Sequence, residues 1–175
     1  MVSVSLLPPQ NDIYAQGCFL SASTTDFERI ESGGATISAD LPKGRSGKAL
    51  KLDYSVSNDA HNYSGWQVLL GDANNGIDLS AYTTLKFWMR GESGRETPNA
   101  WLMMPIIGGK YNRYYKRIGL TTSWKEYSIP LTHFTTGTNE GEKVDLRNIQ
   151  RIQFMFEWYS APASGTVYID DLCIE

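Results

Sequence analysis

The hydrophobic positions of the chain fall in short segments rich in β-branched and aromatic residues, which Gly, Ser, Asn and Asp interrupt about every ten residues. Such spacing predicts an all-β sandwich or barrel. Helical periodicity is nearly absent, and no internal repeat is visible. The segment DFERI at 26–30 is a candidate for a further strand. The predicted strands are 18–23, 35–41, 49–56, 65–71, 84–91, 100–107, 115–121, 125–131, 151–158 and 166–174.

Alternation within these strands predicts which face of each is buried, because successive side chains of a strand point to opposite faces. The pattern does not decide whether Trp66 and Trp88 face the core or solvent. The predicted core faces are Leu85, Phe87 and Met89 in one strand and Ile152, Phe154 and Phe156 in a later one, which leaves Arg151, Gln153, Met155 and Glu157 on the opposite face.

The length of 175 residues fits one domain with a substantial core, so we expect a single β-sandwich module over 1–175, with about 1–12 as a flexible lead-in. A net charge of −3 gives no basic field for nucleic acid or an anionic membrane. The apolar runs are far shorter than the roughly 20 residues of a membrane-spanning helix. The opening MVSVSLLPPQ carries no visible signal peptide.

Two features near the ends of the chain leave alternatives open. Cys18 and Cys173 could pair if the terminal strands are neighbours, or they could be two buried free thiols. In the closing stretch GTVYIDDLCIE, Asp170 and Asp171 interrupt an apolar strand, although Asp is depleted from strands. A site that requires negative charge would explain them, and so would an exposed strand end.

No catalytic motif is visible. His61 and His133 lie in predicted loops, outside any metal-ligand or nucleophile pattern. Glu157 has no second carboxylate near it on its strand, whereas glycoside hydrolysis needs a pair. We therefore expect a non-enzyme. The alternative is a small glycan-degrading enzyme with Glu157 as acid and Tyr115 as proton donor.

Aromatic residues give the positive functional signal, at 12% of the chain. Exposed aromatic side chains on one surface usually mark binding, although packing in the core or a turn is the alternative for each. A flat ring covers the C–H face of a pyranose, while amide, carboxylate and guanidinium groups pair with its hydroxyls. The aromatic candidates are Tyr63, Trp101, Tyr111, Tyr115, Trp158 and Tyr159, and the polar residues interleaved with them are Gln67, Arg113, Gln153 and Glu157.

Seven segments together resemble non-catalytic carbohydrate-binding modules of the β-jelly-roll type, closest to the family 11 modules of bacterial β-glucanases. The resemblance covers about residues 24–175. Some of its elements also occur in assembly proteins of respiratory complex one, so a protein-binding assembly factor is a further alternative. The segments are DFE (26–28), GRSGKALKLDYS (44–55), GWQVLL (65–70), IDLSAYTTLKFWMRG (77–91), SWKEYSIPLTHF (123–134), NIQRIQFMFE (148–157) and GTVYIDDL (165–172).

The resemblance implies a β-sandwich jelly roll of two antiparallel sheets, one of which is concave and binds a β-linked polysaccharide. It further implies a secreted, monomeric module that targets an attached glycoside hydrolase to its substrate. The glycan-binding positions that it implies are Gln150, Gln153 and Phe156, with Tyr63 or a neighbour. At Phe156 the family has Tyr, so the stacking role would pass to Trp158 or Tyr159.

The resemblance also implies a structural calcium ion that ties the first strand to the last. Its ligands would be Glu28 and Asp170, with Asp26 as a further candidate and carbonyl groups near 46–48. Calcium takes six to eight hard oxygen ligands, which separated chain segments can supply at a sheet edge.

Overall fold

The chain forms two five-stranded sheets that pack face to face. The computed structural model describes residues 27–45, 49–59, 61–71, 75–104, 113–135, 144–159 and 162–175. The front sheet has the strand order β1-β4-β9-β6-β7 and the back sheet the order β2-β3-β10-β5-β8. Neighbouring strands are antiparallel throughout. The predicted all-β sandwich of two antiparallel sheets is confirmed.

The strand positions follow the predicted segments, and the candidate strand at 26–30 is present as β1. The predicted strand 18–23 lies outside the described residues. Within the described residues, no helix is long and apolar enough to cross a membrane. The strands are β1 Phe27–Ser32, β2 Thr36–Asp40, β3 Leu50–Ser55, β4 Tyr63–Leu69, β5 Thr84–Gly91, β6 Asn99–Met103, β7 Arg113–Arg117, β8 Lys125–Pro130, β9 Arg151–Glu157 and β10 Ser164–Ile174.

The bounds of β7 differ from the predicted 115–121, since the strand begins at Arg113 and ends at Arg117. Its last residue pairs with Asn99, the first residue of β6. The residue before Asn99 is Pro98, which has no backbone N–H and cannot continue the ladder as a donor. Ile118 still donates its N–H to the Pro98 carbonyl, which closes this end of the hairpin.

Alternating side chains from both sheets fill the space between them, as predicted for β5 and β9. Tyr54 of the back sheet stacks on Phe156 of the front sheet with ring centroids 3.7 Å apart. Phe87 meets Phe154 edge to face at 5.1 Å. Burial of each such ring contributes roughly 1.5–3 kcal/mol, so these pairs fix the two sheets against each other. Phe156 belongs to this core, and the glycan-binding position implied for it is wrong.

The two undecided tryptophans lie in different environments. Trp66 is fully buried between the sheets and packs on Phe154. Trp88 is half-buried on the outer face of the back sheet, where the Arg45 guanidinium lies 4.0 Å above its ring.

A β-bulge interrupts β10 between Asp170 and Cys173, and Asp171 has a φ of 48° there. Strict alternation would put Asp170 and Asp171 on opposite faces. Instead the bulge shifts the alternation by one residue. The evidence is that Ile169 before the bulge and Leu172 after it are both buried in the core. Asp171 forms an ion pair with Arg45 over 2.7 Å.

Cys173 lies just beyond this bulge and is disulfide-bonded. Cys18 is the only other cysteine of the chain and lies outside the described residues. The alternative of two free thiols is therefore wrong.

Candidate functional site

Four predicted binding residues lie side by side across the outer face of the front sheet. The strand registers pair Gln67 with Gln153, Gln153 with Trp101, and Trp101 with Tyr115. Residues directly opposite each other in antiparallel strands share a face. With neighbouring strands about 4.8 Å apart, this row is roughly 14 Å long. We call it the central row.

A second apolar cluster lies on this outer face, separate from the core between the sheets. Trp101, Met103 and Met155 are buried in it, and Tyr63 and Tyr115 pack against them. Opposite Met155 stands Gly65, and a Cβ at that position would collide with the methionine sulfur.

This cluster changes the environment that the sequence predicts for its aromatic members. Trp101 lies outside the main core as expected, yet it is only 6% exposed. Tyr63 and Tyr115 are half-buried. The Trp101 and Tyr115 rings lie 6.4 Å apart and are tilted by 44°. The face therefore combines a nearly buried apolar floor with partly accessible tyrosine rings.

The two glutamines of the central row hold each other in place. The Gln153 side-chain amide donates to the Gln67 side-chain carbonyl over 2.6 Å, and both residues are buried. A bond between two buried amides restricts the rotation of both side chains. Their planar groups are therefore preoriented beside the rings.

A polar network closes one end of the face. The Asn99 side-chain amide donates to Glu157 Oε2 over 2.6 Å, and the Tyr159 hydroxyl donates to the same oxygen. Burial and the neighbouring Glu157 carboxylate both raise the pKa of Tyr159. Arg117 donates to the Tyr159 backbone carbonyl over 2.9 Å. Asn99 Oδ1 is buried without a hydrogen-bond partner, so this end of the face contains one unsatisfied acceptor.

Asn99 was not among the residues predicted from sequence. It occupies the first position of β6, in register with Met155 of β9. The local stretch TPNAW provides Trp101 as a candidate, but nothing in it distinguishes Asn99 from an ordinary loop or strand-end residue. Only the pairing of β6 with β9 brings Asn99 to Glu157, and a single sequence does not reveal that pairing.

Beyond the end of β9 lie the two most exposed large hydrophobic side chains of the described residues. Trp158 is 43% exposed and Tyr159 is 42% exposed. Their rings meet edge to face at 5.3 Å. They extend the aromatic surface past the Glu157 network.

Three predicted binding residues are not part of this described arrangement. Gln150 is buried just before β9, at a position whose alternation differs from that of Gln153, and its N–H donates to the Met103 carbonyl. Tyr111 lies outside the described residues. For Arg113 the structure describes the backbone, in register with Met103 at the start of β7, but not the side chain.

Asp170 is the one predicted calcium ligand whose side chain the structure describes. It is 2% exposed, and its carboxylate accepts the N–H groups of Arg45 and Asp171 over 2.8 and 3.0 Å. A Cβ at Gly44 would stand 2.6 Å from Asp170 Oδ2, so the glycine allows the loop to lie against the carboxylate. The described part of the chain contains no group of three His, Cys, Asp or Glu side chains that could hold a metal.

The other predicted ligands are less fully described. Asp26 and residues 46–48 lie outside the described residues, and Glu28 is described in backbone only, in register with Gln67 on the front sheet.

Two packed antiparallel sheets with a row of rings and amides across one outer face agree with the class that the sequence resembles, the β-sandwich modules that bind carbohydrate. The family model named Carbohydrate binding domain 30 matches residues 16–175. The chain belongs to this family. The protein is therefore a non-catalytic carbohydrate-binding module, as the resemblance implied, which decides against catalysis by Glu157 and Tyr115.

Solved structures show the same fold in related modules. A family 11 carbohydrate-binding module from Clostridium thermocellum, in complex with a β-1,3-1,4-mixed-linked tetrasaccharide, is 19% identical with a TM-score of 0.74, over 91% of this chain and 94% of that chain. A family 30 module of a cellulosomal cellulase of the same organism is 19% identical with a TM-score of 0.61, over 91% of both chains.

An exo-β-agarase has a lower TM-score of 0.52 at 16% identity, and the match covers 86% of this chain but 23% of the agarase chain. No curated protein sequence matches the chain.

Proposed function

We propose that the outer face of the front sheet binds a β-linked polysaccharide, with β-glucan or a related plant cell-wall glycan as the ligand class. The observation that carries this proposal is the central row, in which two preoriented amides continue directly into Trp101 and Tyr115. Rings stack on sugar C–H faces and amides pair with hydroxyls, so one row offers both contacts to a chain of sugars.

Two further features favour an extended glycan over a single sugar. Trp158 and Tyr159 continue the aromatic surface beyond the sheet. Near them, the carboxylate of the half-buried Glu157 at the end of β9 can accept a sugar hydroxyl. The mixed-linkage tetrasaccharide bound by a family 11 module of the same fold supports mixed-linkage glucan as the first ligand to test.

The test is an affinity gel series with mixed-linkage glucan, xylan, xyloglucan and mannan, followed by calorimetry on the best ligand. Each sugar contributes little, so we expect micromolar or weaker affinity, about −5 to −8 kcal/mol, which rises with chain length. Tyr115→Ala should weaken binding, whereas Trp124→Ala on the back sheet should not. Failure to bind any of the four polymers, or equal affinity in the Tyr115 variant, would contradict the proposal.

We further propose that the module is monomeric, is secreted, and targets an attached glycoside hydrolase to its substrate. Related modules of families 11 and 30 are named as parts of cellulosomal cellulases. Disulfides form and persist in oxidising compartments, so the disulfide at Cys173 supports export from the cytosol. Light scattering should give a mass near 19.6 kDa. In the producing organism, the protein should be found outside the cell and linked to a hydrolase.

We also propose one structural calcium ion, with Asp170 as a ligand and Glu28 and Asp26 as further ligands. The support is the environment of Asp170, a buried carboxylate with no ion-paired side chain among the described residues. An uncompensated buried charge is costly, and a divalent cation would offset that cost. A chelator should lower the melting temperature, and Asp170→Asn should remove this sensitivity while Asp171→Asn retains it. A wild-type melting temperature indifferent to chelator would rule out the ion.

A further inference from the structure

Opposite charges occupy the two ends of the outer face of the front sheet. Glu157 ends β9 on one side, and Arg151 begins the same strand on the other. Six residue steps along the strand separate them, which is about 20 Å. Both positions alternate with the core residues of β9, so both lie on the face that carries the central row. The outer face of β9 therefore carries a carboxylate at one end and a guanidinium at the other.

Arg151 is the arginine of the described structure whose side chain carries a buried nitrogen without a hydrogen-bond partner, and it forms no ion pair with a described carboxylate. Arg45 and Arg147 each form an ion pair with an aspartate. Arg151 is half-buried, and its Nε is shielded from solvent without a hydrogen-bond partner. Its neighbours in register are Leu69 and Met103, both apolar.

The cross-strand row of Arg151 continues through Met103 to β7, where Arg113 is described in backbone only. Among the described side chains of this row, none is acidic. The described part of this end of the face therefore supplies no counterion to Arg151.

A half-buried guanidinium without a counterion is energetically costly. Sugar hydroxyls can accept its hydrogen bonds, but they leave the charge uncompensated. A carboxylate or sulfate group offsets the charge and matches the planar fork of donors with two parallel hydrogen bonds. On the assumption that the proposed glycan site is correct, we propose that the Arg151 end of this face binds an anionic group of the polysaccharide, either a uronic acid carboxylate or a sulfate ester.

The Glu157 end offers a different set of groups. Its carboxylate accepts hydrogen bonds from hydroxyl groups, and Arg117 at the same end donates to the Tyr159 backbone carbonyl. Arg151 is therefore the specificity-determining residue for the anionic group in this arrangement.

The test compares three oligosaccharides of similar length by calorimetry. They are a glucuronic-acid-substituted xylo-oligosaccharide, the same compound with its carboxyl group reduced, and a sulfated galactan oligosaccharide. We expect the wild-type protein to bind at least one acidic compound roughly tenfold more tightly than the reduced one, the scale of one charge-assisted hydrogen-bonded pair. High salt should diminish this preference. The compound that shows it identifies the anion as carboxylate or sulfate.

Three variants test whether Arg151 is responsible for the preference for an acidic oligosaccharide. Arg151→Met should abolish the acid preference, and Arg151→Lys should retain part of it. Arg95→Met removes the same charge from an exposed loop and should change nothing. The wild-type comparison of the acid with its reduced form needs no variant, so it decides the question even if Arg151→Met fails to fold.

The outcomes separate this proposal from the proposed function. Equal affinity for the acidic and reduced compounds, with neutral glucan still bound, overturns the role of Arg151 alone. An acid preference that survives Arg151→Met also overturns it. Failure to bind any neutral or acidic glycan overturns both proposals.

Discussion

The outer faces of the two sheets both carry aromatic side chains, but the rings have different neighbours. On the back sheet, Arg45 lies 4.0 Å above Trp88, and Arg90 lies 3.8 Å above Tyr168. On the front sheet, Trp101 and Tyr115 pack against methionines and continue a row of amides. Cation–π contacts occupy these back-sheet rings and also Tyr159 beyond β9, where Arg117 lies 5.5 Å from the ring centroid, so aromatic content by itself does not identify a binding face. The groups that surround each ring distinguish the two faces.

Strand register produces this difference. Arg90 of β5 is directly opposite Tyr168 of β10, which brings the guanidinium onto the ring. Trp101 of β6 is directly opposite Gln153 of β9, which places an amide beside the ring. The same rule of cross-strand pairing therefore gives a self-contained surface on one sheet and a surface suited to a ligand on the other.

The largest expected contrast is between two tryptophan truncations. Trp101→Ala should abolish measurable glycan binding and lower the free energy of unfolding by about 3–5 kcal/mol, because this side chain is almost fully buried. Trp88→Ala should leave binding intact and cost about 1–2 kcal/mol, mainly the cation–π contact with Arg45. Urea unfolding and calorimetry measure both. Equal binding losses in the two variants would erase the distinction between the faces.

The carboxylates of Glu96 and Glu157 also differ in what surrounds them. Glu96, in the loop after β5, is buried and accepts hydrogen bonds from Ser93 N–H, Ser93 Oγ and Arg95 N–H. Burial alone would raise the pKa of Glu96, but these bonds outweigh it, and the net pKa is lowered. Glu96 thus serves its own loop, whereas Glu157 lies on the candidate binding face.

This lowered pKa predicts an acid-sensitive stability. The Glu96 carboxylate stabilises the fold above its unfolded pKa of about 4.3, and the contribution is lost as pH falls through the lower folded value. Glu96→Gln should cost about 2 kcal/mol at pH 7 and flatten the fall in melting temperature below that range. Glu92→Gln, on an exposed neighbour, is the control. If the melting temperature of Glu96→Gln falls with pH as it does in the wild-type protein, other groups account for the acid sensitivity.

A smaller effect is expected at the exposed edge of the binding face. Trp158→Ala should weaken glycan binding about threefold to tenfold, the order of one aromatic contact, while the melting temperature stays within a few degrees. Trp124→Ala, on the back sheet beneath Arg90, should leave affinity unchanged. A collapse of the fold in Trp158→Ala would mean that this ring is structural.

The smallest effect is expected at the ion pair between Arg45 and Asp171. Both side chains are more than a third exposed, so the pair should contribute less than about 1 kcal/mol and weaken with salt. A double-mutant cycle with Arg45→Met and Asp171→Asn measures it. A coupling well above 1 kcal/mol would show that the back-sheet surface is more rigid than its exposure suggests.

Alternation within single strands predicted much of the fold. The apolar faces of β5 and β9 were correct because Leu85, Phe87 and Phe154 alternate strictly with outward residues. Trp88 alternates outward in β5, but alternation alone does not say which outer face it occupies. Trp66 could not be placed in this way, because β4 is buried on both of its faces. A strand with large apolar residues on both faces gives no clear period.

The candidate site was predictable only in part. Gln153, Trp101 and Tyr115 could be proposed from local composition, but their order in one row depends on strand pairing between distant segments. The link between Asn99 and Glu157 depends on the same pairing. The bulge at Asp171 also escaped strict alternation, because an inserted residue shifts every later position to the other face.

The central strands of both sheets have a consequence for synthesis on the ribosome. β9 lies between β4 and β6, and β10 lies between β3 and β5, so each is translated after both of its neighbours. Until residues 151–174 have emerged, the nascent chain can form only separate strand pairs with open inner edges. Such edges are prone to aggregation. We therefore expect both sheets to be completed only when the final two strands arrive.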